Sequence, residues 1–249
     1  MAEVALITGA GQGIGFAIAE KLAQKGIAVL LNDSDETLAY QAVEHIQSVG
    51  GICQAMVGDA SDIDFVRDMV AQAVHHFGKL TIAIANAGAT VFGSFWDYQP
   101  DDLKRVMQLN LAGSFFLTQA AAQQMREQAI GGRILLMSSV TGVQAHQHLE
   151  AYGMTKAGLQ MLAKQLVIEL SPHHITINCL APGATATERT LGDTSYENTW
   201  SRITPLGKPA SVSDIAAAAA FLVSPEACHI TGQTLIIDGG WTSVSPSPF

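Results

Sequence analysis

"VALITGAGQGIG", Val4 to Gly15, sets a short apolar run against a loop with glycine at every second position from Gly9 to Gly15. Glycine in a regular element costs roughly 0.5–1 kcal/mol relative to alanine, so such a cluster marks backbone that needs unusual angles or close approach to something. A plain flexible turn is the alternative. The rest of the chain decides between them.

Apolar runs like the first recur at 28–32, 53–57, 80–86, 133–138, 175–180 and 234–238. Each is nearly continuous, as expected of strands covered on both faces. Helical patterns lie between them, beginning with Ile14, Ile18 and Leu22 spaced four apart and Gly26 as a stop. Strand alternating with helix implies right-handed βαβ units. The expected fold class is α/β, a Rossmann-type, doubly wound, parallel seven-stranded sheet with helices on both faces. No linker or repeat divides the chain, so 1–249 reads as a single domain. The polar, weakly periodic segment 185–209 reads as a long loop and a substrate lid, and 242–249 as a Ser/Pro-rich C-terminal tail.

The 249 residues are 48% hydrophobic and only 14% charged, a balance that points to subunit interfaces and a homo-oligomer. A net charge of −9 without any Lys/Arg cluster argues against a nucleic-acid surface. Cys53, Cys179 and Cys228 form no C-x-x-C pair and read as buried, reduced thiols of a cytoplasmic protein, with neither disulfide nor zinc. The start lacks a basic, then apolar, leader, and no apolar run approaches the roughly 18 residues of a spanning helix. A chain without membrane contact is expected.

Strand, glycine loop, then helix is the context in which backbone N–H groups and a helix N-terminus hold a pyrophosphate. The spacing is T-G-x-x-x-G-x-G through Thr8, Gly9, Gly13 and Gly15, rather than G-x-G-x-x-G. Asp33 ends the second run, where a carboxylate accepts hydrogen bonds from adenosine ribose hydroxyls; a capping box with Glu36 is the alternative. Asn32, Ser34 and Asp35 offer no positive charge to a 2′-phosphate, and Asp33 would repel one. NAD is therefore expected over NADP.

In "AYGMTK", Tyr152 and Lys156 stand at i,i+4, on one face of a helix. A tyrosine alone is a poor base near neutral pH. A lysine ammonium about 5 Å away contributes roughly 3 kcal/mol in favour of the phenolate at an effective dielectric of about 20. Ser139 follows the apolar run 133–138 and so sits at the carboxyl edge of the sheet, where open α/β folds bind ligands.

Together, "TGAGQGIG", "NAG" (86–88), "SS" (138–139), "YGMTK" (152–156) and "PGATAT" (182–187) resemble the short-chain dehydrogenase/reductase family, from Val4 to about Trp241. The resemblance implies hydride transfer between a nicotinamide cofactor and a small-molecule alcohol or ketone. Tyr152 would be the general acid/base, Lys156 its electrostatic partner and a ribose ligand, Ser139 the donor to the substrate oxygen, and Asn110 the holder of a relay water. A kinking or capping asparagine is the alternative for Asn110. The resemblance also places Gln12, Ile14, Asp59, Ala60, Asn86, Ala87, Gly88, Pro182, Gly183, Thr185 and Thr187 along the cofactor, with Asp59 facing adenine. Two departures stand out. Ala85 precedes Asn86 where a second asparagine is common, and His174 stands where glycine is frequent.

By the same resemblance, Phe92, Trp96, His146, His148 and Trp200 are expected to line the substrate cleft. His146, His148 and Glu150 alternate as metal ligands could, but polar loop residues are the favoured reading, and no metal is expected. Such donors and acceptors suit a sugar or polyol, and the chain is similar to glucose 1-dehydrogenase-like members. One alternative is a 3-oxoacyl-(acyl-carrier-protein) reductase, disfavoured by Ile130 and His173 where basic residues would greet an acidic carrier. A second is a non-catalytic dinucleotide-binding sensor, disfavoured because Asn110, Ser139, Tyr152 and Lys156 are all retained. A homotetramer, joined through helix pairs and the final strand with its tail, is expected from the family.

Overall fold

The computed structural model describes residues 3–190 and 192–245. The apolar runs form β1 (Val4–Ile7), β2 (Ala28–Asp33), β3 (Cys53–Val57), β4 (Ile82–Ala85), β5 (Gly132–Met137) and β6 (Ile175–Pro182), followed by β7 (Thr185–Ala186), β8 (Ala210–Ser211) and β9 (Thr234–Ile237). Seven of them build one sheet in the order β3-β2-β1-β4-β5-β6-β9. Every pairing in it is parallel. β7 and β8 pair separately. The helices are α1 (Gly13–Ala23), α2 (Glu36–Ser48), α3 (Ile63–Phe77), α4 (Pro100–Met107), α5 (Ser114–Gln128), α6 (Glu150–Leu170), α7 (Thr194–Ile203) and α8 (Val212–Leu222).

Alternate residues of each interior strand enter opposite cores. Ala5 and Ile7 of β1 pack with Ile18 and Leu22 of α1, Ile46 of α2 and Ala219 of α8. Leu6 faces the other way, with Met69 of α3, Leu117 of α5 and Leu159 of α6. Two covered faces demand two apolar sides, hence runs without alternation. The edges depart from that expectation. In β3 only Cys53 is fully buried, and in β9 Leu235 and Ile236 are 40% and 37% exposed. All three thiols are free, but Cys228 is exposed rather than buried, whereas burial pushes Cys53 and Cys179 up to about 12.

The segment 185–209 is not a plain loop, because α7 occupies its middle. Asp193 starts that helix, its Oδ1 accepting from the N–H groups of Ser195 (2.9 Å) and Tyr196 (3.1 Å). Tyr196, Trp200 and Ile203 give α7 an apolar stripe at helical spacing, yet none of its residues is fully buried. Beyond β9, Trp241–Ser243 make a 3₁₀ turn, and positions 246–249 of the expected tail lie outside the described residues. Among the described residues no helix is long and apolar enough to cross a membrane.

His174 explains its own departure from glycine. It ends the turn after α6 in the left-handed conformation, φ 57°, and its carbonyl accepts from Gly132 N at 3.2 Å. A side chain there is strained, and this one is exposed. His174→Gly should stabilise the fold by about 0.5–1 kcal/mol, the remainder after glycine's larger unfolded-state entropy is subtracted. The denaturant midpoint should rise at constant m-value; a lower midpoint would contradict the strain argument.

Candidate active site

The glycine loop has two separate reasons for its composition. A Cβ on Gly9 would lie 2.9 Å from Ala87 Cα, one on Gly11 would lie 2.8 Å from Leu38 Cβ, and one on Gly15 would collide with the Gly9 carbonyl. These three glycines therefore make room for the protein's own chain. Gly13 is different. Its φ of 64° is close to that of Gly9 (φ 60°), but the nearest atom to its would-be Cβ is Glu188 Oε2 at 3.6 Å, so no part of the chain crowds it. It opens α1, whose N-cap residue Gln12 makes no side-chain capping bond. The first N–H groups of α1 are thus left for an anion, as a pyrophosphate requires.

A cavity of about 290 Å³ lies over this loop. Gly9, Gln12 to Gly15, Asp33, Asp59, Ala60 and the Asn86–Gly88 turn line it, so the residues present fit a dinucleotide. Thr8 does not line it. Thr8 is buried, and its Oγ1 accepts from the N–H groups of Asn86 and Ala87, both at 3.1 Å. Asn86 Nδ2 returns bonds to the carbonyls of Thr8 (2.9 Å) and Gly9 (2.7 Å). Thr8 therefore shapes the cradle from beneath. Asp33 accepts from Gly11 N at 2.9 Å and Asp35 N at 3.1 Å, and the cap of α2 is Asp35, not Asp33. Asn32, Ser34 and Asp59 share the cavity with Asp33, Arg189 lines it as well, and among the described residues no Lys or Arg forms an ion pair with Asp33. Asp59 is exposed and accepts from Ser61 N at 2.8 Å.

A second cavity, of about 350 Å³, shares Ile14, Asn86, Gly88, Thr187 and Arg189 with the first. Ser139, Tyr152, Lys156, Pro182, Gly183 and Thr185 line it. Ser139 lies just past β5 and caps a 3₁₀ turn, its Oγ accepting from Thr141 N at 3.2 Å. Lys156 is only 4% exposed; its Nζ donates to the Met137 carbonyl at 2.7 Å and stands 5.3 Å from the centre of the Tyr152 ring. Among the described residues no carboxylate pairs with it. Ser138 locks the two elements together, donating to the Lys156 carbonyl at 2.8 Å and accepting from Gln160 Nε2 at 2.9 Å.

Asn110 lines neither cavity. It is buried in a π-helical stretch, Gln108–Gly113, between α4 and α5. Its Oδ1 accepts from Ala89 N at 2.8 Å, and its Nδ2 donates to Ala89 O at 3.0 Å and Thr155 Oγ1 at 3.1 Å. A Cβ on Gly88 would lie 3.3 Å from Asn110 Oδ1 and 3.4 Å from Lys156 Nζ. Asn110 thus holds the Gly88–Ala89 turn against the lysine, at a wide helical turn of the kind the kinking alternative describes.

The expected substrate-lining residues lie outside this second cavity. None of Phe92, Trp96, His146, His148 and Trp200 lines the catalytic cavity. Phe92 and Trp96 are 71% and 87% exposed. His148 is exposed with φ 64°, and its carbonyl accepts from Gly93 N at 3.3 Å. His146 lies tilted against Trp200 and Trp241, with ring centres 6.3 and 5.0 Å away. The cavity is lined by Tyr196, Arg189 and Thr90, which the sequence reading did not select. Helical spacing from Trp200 would have found Tyr196.

A family model described as enoyl-(acyl carrier protein) reductase matches residues 9–242. The chain belongs to the short-chain dehydrogenase/reductase family. It is 37% identical to an L-rhamnose 1-dehydrogenase (NAD(P)(+)) of Sphingomonas sp. (strain SKA58), covering 94% of both chains. A gluconate 5-dehydrogenase from Burkholderia cenocepacia J2315, in complex with NADP and tartrate, superposes with a TM-score of 0.91 at 32% identity, over 98% of this chain and 96% of that one. A 7α-hydroxysteroid dehydrogenase complexed with NADH and 7-oxo glycochenodeoxycholic acid also reaches 0.91 at 32% identity, over 96% of this chain and 93% of that one. The protein is accordingly an oxidoreductase acting on alcohol or ketone groups.

Burial among the rings pushes the His146 imidazole below its ordinary value. The unfolded chain therefore takes up this proton first as pH falls. Its contribution to stability is complete above the unfolded imidazole value and lost as pH falls through the lower, folded one. His146→Phe keeps a ring and removes the proton site. Wild type should lose thermal stability relative to His146→Phe between about pH 7.5 and about pH 5. Melting curves that stay parallel over that window would contradict it.

Proposed function

We propose that this enzyme is an NAD-preferring dehydrogenase of a sugar or polyol secondary hydroxyl, working as a cytoplasmic homotetramer. The observation that carries the reaction is the buried Lys156 ammonium beside Tyr152, in one cavity with Ser139. Nicotinamide, when bound, supplies the hydride acceptor. Tyr152 takes the hydroxyl proton, and Lys156 stabilises the phenolate that does so. Because Thr141 N already donates to Ser139 Oγ, the serine proton is left to hold the substrate oxygen. Asn110 contributes by holding the turn beside Lys156; the relay water belongs to this reading.

Asp33, which no Lys or Arg pairs with among the described residues, supports NAD: its carboxylate suits ribose hydroxyls and repels a 2′-phosphate. Relatives named L-rhamnose 1-dehydrogenase in three organisms support a sugar substrate. The exposed apolar edge at Leu235 and Ile236, with Phe115 exposed on α5, supports subunit contacts at the final strand and helix faces.

Formation of the reduced nicotinamide cofactor with pyranoses and polyols should be faster with NAD than with NADP. Tyr152→Phe should lower kcat by about 10²–10⁴-fold while NADH binding persists. No turnover of these substrates, with a 3-oxoacyl thioester reduced instead, would establish the reductase alternative. Cofactor binding without either activity would establish the sensor. Light scattering should give about four times the 26.3 kDa chain mass, and a monomeric value would refute the tetramer.

A further inference from the structure

Three separate segments build an aromatic cluster beside the catalytic cavity, and Tyr196 is the member of it that lines the cavity. Tyr196 and Trp200 stand one turn apart on α7, with ring centres 6.1 Å apart and planes tilted by 53°. Trp241, from the turn after β9, meets Trp200 edge-on at 5.2 Å. His146, from the loop after Ser139, closes the cluster at 5.0 Å from Trp241 and 6.3 Å from Trp200. Asp238 pins the Trp241 turn, accepting from Gly240 N (2.8 Å), Thr242 N (2.7 Å) and Thr242 Oγ1 (2.6 Å). Rings that only filled a core would be covered. All four are half-buried instead.

Tyr196 is, with Tyr152, one of the two aromatic residues lining the cavity. Its hydroxyl is already spent, donating to the Thr185 carbonyl at 3.3 Å, so it offers a ring rather than a polar tip. A pyranose has the complementary shape: hydroxyls at its rim and polarised C–H groups on its faces. Such a face packs well against a π surface whose centre is negative. An open-chain polyol has no preformed face and loses more conformational freedom on binding.

We propose that Tyr196 and Trp200 form an aromatic shelf for one face of a pyranose ring, leaving the reacting hydroxyl to Ser139 and Tyr152. His146 and Trp241 are positioning residues that hold Trp200 in place. The proposal rests on the sugar-dehydrogenase reading above and names its specificity determinants.

The test is steady-state kinetics with L-rhamnose, alongside the inhibition constant of open-chain sorbitol. Tyr196→Leu and Trp200→Leu should each raise KM for L-rhamnose about tenfold, with kcat falling less than about threefold. The sorbitol constant and the NADH dissociation constant should hold. Tyr196→Phe and Trp200→Phe keep a ring and should stay within about threefold of wild type, which covers the case of a leucine variant that fails to fold. Pyranose oxidation with wild-type KM in the leucine variants would overturn the shelf alone. Equal shifts for L-rhamnose and sorbitol, or a Tyr196→Phe loss as large as that of Tyr196→Leu, would also overturn it. Absence of pyranose oxidation by the wild type would instead refute the function on which the shelf rests.

Discussion

A cation held out of water without a carboxylate is the constraint around which this molecule is arranged. Burying an ammonium costs several kcal/mol unless other groups replace its hydration. Here the Met137 carbonyl supplies one bond to Lys156, and the Tyr152 ring lies 5.3 Å away. A carboxylate partner would satisfy the lysine better, and would cancel the field that makes Tyr152 useful. The fold instead holds the charge mechanically. Ser138 ties the end of β5 to the Lys156 backbone, and Gln160, one turn further along α6, ties the same serine. Stability given up at one side chain is recovered in the packing of the strand and helix that carry it.

The cofactor side follows a similar economy of position. Thr8 and Asn86 exchange bonds across the ends of β1 and β4, neighbouring strands in the sheet. That clamp brings Ala87 so close to Gly9 that no side chain fits between them. Only then does the uncapped end of α1 face open space. The glycines at 9 and 15 belong to the clamp, while Gly13 belongs to the anion site. One sequence motif thus records two physical requirements, and only atomic contacts separate them.

How much of this was legible depends on whether a feature is local. Interior strands were readable because two covered faces force unbroken apolar runs, and the Tyr152–Lys156 pair because a helix sets i,i+4 neighbours. Edge exposure in β3 and β9 was not, since their residues resemble those of interior strands and only the strand order leaves them uncovered. α7 is hard to read from the sequence because its apolar side is a stripe of three residues that nothing fully buries. Thr8 and Asn110 stand out in the sequence, yet their partners lie far along the chain. What they hold could not be read from spacing.

The division between rigid and exposed parts bears on how such a scaffold diversifies. In the proposed reaction, proton transfer depends on β5 and α6, which are packed into the core, whereas the rings beside the cavity come from a half-buried helix, a loop and a turn after β9. Elements of the second kind tolerate change because few core contacts depend on them. Backbones that superpose with a TM-score of 0.91 at 32% identity carry names as different as gluconate 5-dehydrogenase and 7α-hydroxysteroid dehydrogenase. Conservation of the backbone therefore says little about the substrate, and the specificity has to be sought where the segments meet. In this chain they meet at Trp200, which touches α7's own Tyr196, the catalytic-side loop through His146 and the C-terminal turn through Trp241. The rings of the three segments pack on one another, so a substitution in one changes what the other two pack against.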